Sequence, residues 1–265
     1  MSAGLTPAGF ASDAFAGTAE AYLLNRRPYP GALLEHLLAR IAGRERLLDL
    51  GCGPGRLTID LAPRFAQVLA VDIEPEMIAV GRAEAARRAL RNIVWSIGAA
   101  EALKAPPGAL DLVTAAEAFH RFDRPGIARL VLAWLKPGGG LAILGADGAV
   151  VGDALWQRAA QDVVRRFSDR PSPSGPGDYS GRAADEALLR DAGFHEVQSF
   201  DFEVELDWTA NSVLGHLHST SYCSLAVLGD RAGAFEAELA AALGDCEPSG
   251  VFRQSARFGY TFARR

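Results

Sequence analysis

Residues 51–55, Gly51-Cys52-Gly53-Pro54-Gly55, place three glycines at alternate positions, and an acid, Asp49, stands two residues ahead of the first. Glycines at a strand-to-helix turn let a ligand approach the backbone closely. The free N–H groups at the start of the following helix suit a carboxylate or phosphate. The spacing is G-x-G-x-G, not the G-x-G-x-x-G of the dinucleotide fingerprint. About twenty residues on, Asp72 ends an apolar run, where a carboxylate can accept both hydroxyls of a ribose. Each half alone is a weak signal, and a glycine turn can serve tight packing only. In strand–loop–helix–strand order the two halves point to one ligand site.

Proton transfer is work for a residue that titrates near neutrality. His120 follows a strand, at the edge where an open parallel sheet binds its ligands, and is a candidate general base or orienting donor; the alternative is a histidine that caps a loop or helix. Glu117, three residues earlier, faces either the ligand or solvent. His216 and His218 flank Leu217. On a helix, residues two apart diverge by about 200° and cannot chelate one ion; on a strand they would share a face. With no third ligand nearby, no metal is expected.

These groups need a frame. Leu33, Leu34, Leu37, Leu38 and Ile41 form the stripe of an amphipathic helix over 31–41. Short apolar runs at 46–50, 68–71, 93–95, 110–114 and 141–144 read as buried strands. Helical spacing fills the intervals: 54–65, a helix opened by Pro75 and running toward Leu90, and one opened by Pro125 that Lys136-Pro137-Gly138-Gly139-Gly140 stops. This alternation predicts βαβ units, hence a parallel sheet with helices on both faces.

Beyond Gly145 the rhythm changes. A helix is expected over 153–167 with Leu155, Trp156, Ala159, Val163, Val164 and Phe167 on one side. A Pro/Ser/Gly loop at 169–178 and an N-cap at Ser180 precede a helix ending at Gly193. A strand is expected over 194–208 and a short helix near 213–217. A helix through Phe235, Leu239 and Leu243 then precedes a last strand in 252–262. We read the chain as one domain: an N-terminal lid and first helix (1–42), a ligand-binding core (43–145), then a lid or substrate insertion with closing strands (146–265).

Composition narrows the function. At 265 residues, 49% hydrophobic and 22% charged, the chain is that of a globular protein. A net charge of -5 leaves no basic face by default, although an acidic chain can hold a local basic patch, so nucleic acid is not an expected substrate. Cys52, Cys223 and Cys246 are too widely spaced for a disulfide framework or a C-x-x-C metal pattern, which suits a reducing, cytoplasmic setting. Residues 1–15 lack a signal-peptide pattern, and no apolar run approaches the roughly 18 residues of a membrane span. Lysine occurs only at 104 and 136 while arginine is common, an association with GC-rich bacterial genomes.

Leu47-Leu48-Asp49-Leu50-Gly51-Cys52-Gly53-Pro54-Gly55 resembles the first motif of the class I S-adenosylmethionine-dependent methyltransferases. Val71-Asp72-Ile73 resembles their second, and the segment 135–140 their turn before strand five. Within that superfamily the chain looks most like small-molecule methyltransferases of the trans-aconitate type, through Arg27-Pro28-Tyr29-Pro30 and His120-Arg121-Phe122-Asp123. The resemblance implies a doubly wound, mostly parallel seven-stranded sheet with its last strand antiparallel, and helical lids from the N-terminus and after strand five.

It also implies roles. Asp49 and the backbone of Gly51, Gly53 and Gly55 would hold the methionine end of S-adenosylmethionine, and Asp72 the ribose. Ile73 and Met77 would line the adenine, and Ala99, Ala100 and Glu101 would read its edge. Many relatives carry Asp where Ala99 stands, so adenine recognition here would rest on the Ala100 N–H and packing. Glu117 would touch the cofactor, and Arg27 would neutralise its carboxylate or an acidic acceptor. Tyr22, Tyr29, His216, His218 and Tyr222 would line the acceptor pocket.

The expected activity is methyl transfer to a small-molecule acceptor, by a monomer or homodimer that releases S-adenosylhomocysteine. The alternative in another class is a catalytically silent S-adenosylmethionine-binding fold acting as a partner protein. A nucleotide-dependent oxidoreductase is disfavoured by the glycine spacing and Asp49.

Overall fold

A computed structural model describes Phe15 and residues 17–168 and 182–265; the loop expected at 169–178 and the Ser180 cap lie outside these. Seven strands form one sheet: β1 (Arg46–Leu50), β2 (Gln67–Asp72), β3 (Ile93–Ile97), β4 (Leu110–Ala116), β5 (Leu135–Ala146), β6 (His195–Trp208) and β7 (Phe252–Arg264). Their order is β3-β2-β1-β4-β5-β7-β6. The pairs among β1 to β5 are parallel, and β7 runs antiparallel between β5 and β6. This is the expected class I methyltransferase sheet.

The strands read as apolar runs because helices cover both faces. All of β4 but its last residue is buried, as is β1 beyond Arg46. On one face Leu50 and Val113 pack with Ile127, Val131 and Trp134 of α5 (Arg124–Trp134) and Leu189 of α7 (Arg182–Asp191). On the other, Leu47 and Leu112 pack with Leu33 and Leu37 of α2 (Gly31–Leu38) and Leu61 of α3 (Arg56–Leu61). Burying a side chain of this size contributes about 1.5–3 kcal/mol. The remaining helix of the first half, α4 (Pro75–Arg87), begins at Pro75 as expected.

The second half adds α6 (Leu155–Phe167), α8 (Ala210–His218), α9 (Leu225–Leu228) and α10 (Ala232–Cys246). They share a separate apolar cluster built on Trp156, Trp208, Leu217 and Phe235. The buried face of α6 differs from expectation: Leu155 is 71% exposed, and the stripe runs through Trp156, Ala160, Val163 and Val164. The first amphipathic helix stops at Leu38, and the helix expected over 54–65 is α3 followed by a tight turn at Ala62–Arg64. Pro63 has no N–H to continue the ladder there. The glycines of 138–140 do not end a helix but lie within β5, where the pairing with β4 slips between Leu110 and Leu112. Helix α1 (Ala19–Asn25) has too short a stripe to be read from spacing.

The strand order reverses between β1 and β4, both neighbours running parallel. Open sheets of this kind bind ligands outside the strand carboxyl ends at that reversal. Asp72, the glycine loop and Glu117 all sit there.

Candidate functional site

The loop after β1 is shaped by positive φ at Gly51 (63°), Gly53 (54°) and Gly55 (81°). Side chains also have no room at two of these positions. A Cβ on Gly51 would lie 2.5 Å from the Ala118 Cβ, and one on Gly55 would lie 2.4 Å from the Trp95 ring. The loop is tied to the second strand: the Cys52 N–H donates to Val71 O (3.0 Å) and the Gly53 N–H to Asp72 Oδ2 (2.7 Å). Asp72 Oδ1 accepts from the Glu74 N–H (2.9 Å). Burial raises the Asp72 carboxyl above its usual range, opposed by the Glu74 and Gly53 N–H groups and by Arg121.

A cleft opens above this wall. Gly51, Gly53, Asp72, Ile73, Met77, Ala99, Ala100, Glu101 and Glu117, all expected cofactor residues, line it together. Its floor is apolar through Ile73, Met77 and Phe122, and a tight turn at Ala100–Ala102 supplies backbone at one rim. An apolar wall and a carboxylate beside glycine backbone fit a nucleoside with a polar tail.

Asp49 and Gly55, also expected at the cofactor, do not line the cleft. Asp49 is 1% exposed and its carboxylate accepts from Thr58 Oγ1 (2.5 Å) and Thr114 Oγ1 (2.7 Å), so it braces β1 against α3 and β4. Burial, weakened by those hydroxyls, raises its pKa to about 6. Gly55 packs under Trp95 and does not line the cleft.

Phe15 and Tyr22 form part of the cleft wall. The Gly17 N–H donates to Glu76 Oε2 (2.7 Å), the Phe15 and Tyr22 rings meet edge to face at 6.3 Å, and the Arg121 guanidinium lies 4.4 Å over Phe15. Tyr22 on α1 lines the cleft, and its phenol is pushed above 10 chiefly by burial.

Behind Tyr22 lies a second, partly open cavity. Tyr22, Tyr29, Arg27 and His216 were expected near substrate or cofactor, and all four line it. Arg27 lies here, not in the cleft, its guanidinium 4.2 Å over the Trp208 ring and donating to Asp207 O. Arg26, Arg56 and Asp147 share the wall. Arg56 and Asp147 were not singled out from sequence; Arg56 directly follows the glycine loop, a usable signal, whereas nothing marks Asp147.

His120 lines a third, partly open cavity with Arg182 and Asp185. Glu117 borders all three spaces. Its backbone is left-handed (φ 55°), which is unfavourable for a non-glycine residue, and the Ala146 N–H donates to its carboxylate at 2.5 Å. His218 turns away, with Nδ1 at 3.1 Å from Cys223 O and Nε2 at 3.1 Å from Glu236 Oε1. Tyr222 packs beside the helical cluster, its carbonyl accepting from Ser168 Oγ. Since 210–218 is helical, His216 and His218 diverge, and among the described residues no three metal-binding side chains converge. No helix among the described residues is long and apolar enough to cross a membrane.

Residues 47–139 match the family described as methyltransferase domain. An uncharacterized methyltransferase from Mycobacterium tuberculosis is 37% identical over 130 residues, and the match spans about half of each chain, 49% of this one and 51% of that protein. A ubiquinone biosynthesis O-methyltransferase from Xanthomonas euvesicatoria pv. vesicatoria is 30% identical over 203 residues, 73% of this chain and 81% of that protein. A candidate type II methyltransferase from Anaeromyxobacter dehalogenans superposes with a TM-score of 0.62 at 25% identity, covering 90% of this chain and 96% of that one. The chain therefore belongs to the class I S-adenosylmethionine-dependent methyltransferase family.

Proposed function

We propose that this protein transfers a methyl group from S-adenosylmethionine to a small-molecule acceptor held in the arginine-lined cavity. The observation that carries this reading is that Tyr22 and Glu117 belong to the walls of both the cleft and that cavity, so ligands in the two spaces would meet there. Asp72 would accept the ribose hydroxyls, with Ile73 and Met77 against the adenine and Ala99, Ala100 and Glu101 at its edge. The backbone of Gly51 and Gly53, with Glu117, would hold the methionine end. When bound, S-adenosylmethionine supplies an electrophilic methyl group on a sulfonium.

The chain's own contribution is placement and exclusion of water. Helix α1 closes over the meeting point, fastened where Arg56 Nη1 donates to Leu23 O (2.7 Å) and Arg26 Nε to Ser219 Oγ (2.9 Å). Tyr22, kept protonated by burial, presents a hydroxyl at the shared wall. His120 stands outside this cavity, so the proposed reaction does not use it.

Calorimetric titration with S-adenosylhomocysteine and, separately, with NAD tests the cofactor. Binding of the first alone is expected; binding of NAD alone would overturn the reading. Release of S-adenosylhomocysteine in the presence of small anionic acceptors separates an enzyme from a silent cofactor-binding fold.

A further inference from the structure

We propose that Trp95 is a positioning residue for S-adenosylmethionine: its ring is wedged between Gly55 of the glycine loop and Gly81 of α4 and sets the spacing of the two walls that the cofactor spans. This rests on the methyl-transfer reading for what the cleft holds and adds a residue outside the cleft on which cofactor affinity depends.

Trp95 stands on β3, paired with Ala70 of β2. It does not line the cleft; its side chain packs against the apolar cluster of Cys52, Ala70 and Ile78. Two glycines make the slot for the far edge of its indole. A Cβ on Gly55 would lie 2.4 Å from Cη2 and 3.1 Å from Cζ3, and a Cβ on Gly81 would lie 2.7 Å from each. The Gly81 position also abuts the loop directly, since its Cβ would lie 3.1 Å from Pro54 O.

Gly81 is buried within α4, where glycine is a poorer helix former than alanine. Its backbone is not left-handed, so the closeness of the ring is what calls for glycine there. The Trp95 carbonyl accepts from Arg82 Nη2 at 2.9 Å, which holds β3 to the same stretch of α4.

Under the methyl-transfer reading the elements that meet the ring carry opposite ends of the cofactor. The loop offers Gly51 and Gly53 to the methionine end, while α4 offers Met77 to the adenine. The loop is tied to β2 where Gly53 donates to Asp72, and Trp95 supports its other end at Gly55. Close-packed neighbours shift partway into the space a removed ring leaves. A ligand held by one wall is indifferent to that shift, whereas a ligand that spans both loses its fit.

The test measures binding of S-adenosylhomocysteine and of 5′-methylthioadenosine, its nucleoside half without the amino-acid tail. The proteins are wild type, W95L, G81A and the W95L/G81A double variant. W95L is expected to weaken S-adenosylhomocysteine about tenfold and methylthioadenosine by less than about threefold, a split that a general loss of stability would not produce. G81A, whose added carbon meets the ring, should weaken S-adenosylhomocysteine about tenfold by itself and by less than about threefold in W95L, where the ring is gone.

S-adenosylhomocysteine affinity within about twofold of wild type in W95L, an equal loss for both ligands, or a G81A loss of the same size in both backgrounds would each overturn the proposal. If methylthioadenosine does not bind wild type, the G81A comparison decides alone. If W95L does not fold, W95F, whose ring is shorter than indole, takes its place by the same thresholds. Failure of wild type to bind S-adenosylhomocysteine would refute the methyl-transfer reading, and this proposal with it.

Discussion

The backbone N–H of Gly53 donates to the carboxylate of Asp72 at 2.7 Å, across nineteen residues of sequence. The glycine loop and the acid that ends β2 are thus one wall and not two neighbouring features. Asp72 serves twice, fixing the loop through Gly53 and its own turn through Glu74, with the carboxylate still on the cleft.

Asp72→Ala is expected to weaken S-adenosylhomocysteine binding by about 10–100-fold, or roughly 1.5–3 kcal/mol, as for hydrogen bonds to a charged group. Calorimetry reads this directly. Unchanged affinity would remove the ribose role from Asp72.

Asp49 has a folded pKa of about 6 against an ordinary 3.8 because it is buried. The folded chain holds that proton more tightly than the unfolded chain, so Asp49 makes stability fall as pH rises from about 4 to about 6. Asp49→Asn removes this penalty and keeps an acceptor for Thr58 or Thr114. Denaturant unfolding at about pH 4.5 and pH 7.5 should show the variant gaining on wild type at the higher pH, by up to a few kcal/mol. A gap independent of pH would contradict the assignment.

Much of this was legible in the sequence, and the division of the site was not. Buried parallel strands are bare apolar runs, so β1 to β5 announce themselves, and the loop and Asp72 keep a fixed relation to them. Which side chains share a cavity depends on contacts far apart in sequence: α8 brings His216 behind Tyr22 of α1, while His120 turns to Arg182. Asp49 looks like a ligand contact until Thr114, 65 residues on, is seen to cover it. On α6 the expected Trp156, Val163 and Val164 are buried and Phe167 packs beside them, while Leu155 is exposed and Ala160 takes the place expected of Ala159, since two adjacent alanines are alike in sequence and only packing distinguishes them.

Glu117 adopts φ 55°, where a β-carbon is disfavoured and glycine is not. Glu117→Gly and Glu117→Ala both lose the bond to Ala146, so their difference isolates the backbone. The glycine variant is expected to be more stable by about 1 kcal/mol in thermal or denaturant unfolding, and both should lose turnover. Equal stability would show that the left-handed backbone carries no strain.

His120 and His216 lie in different cavities, so substitution tells which one holds the acceptor. His120→Ala should leave kcat/KM within about twofold of wild type, since no transition-state contact is removed. A fall of about tenfold or more with unchanged cofactor affinity would move the acceptor to the His120 side of Glu117.

A crystal structure with S-adenosylhomocysteine bound reads out the whole arrangement in one measurement. The expected result is ribose hydroxyls on Asp72, adenine between Ile73 and Met77, and the sulfur directed toward Tyr22 and Glu117 with the arginine-lined cavity beyond it. An empty cleft, or a sulfur facing away from that cavity, would contradict it.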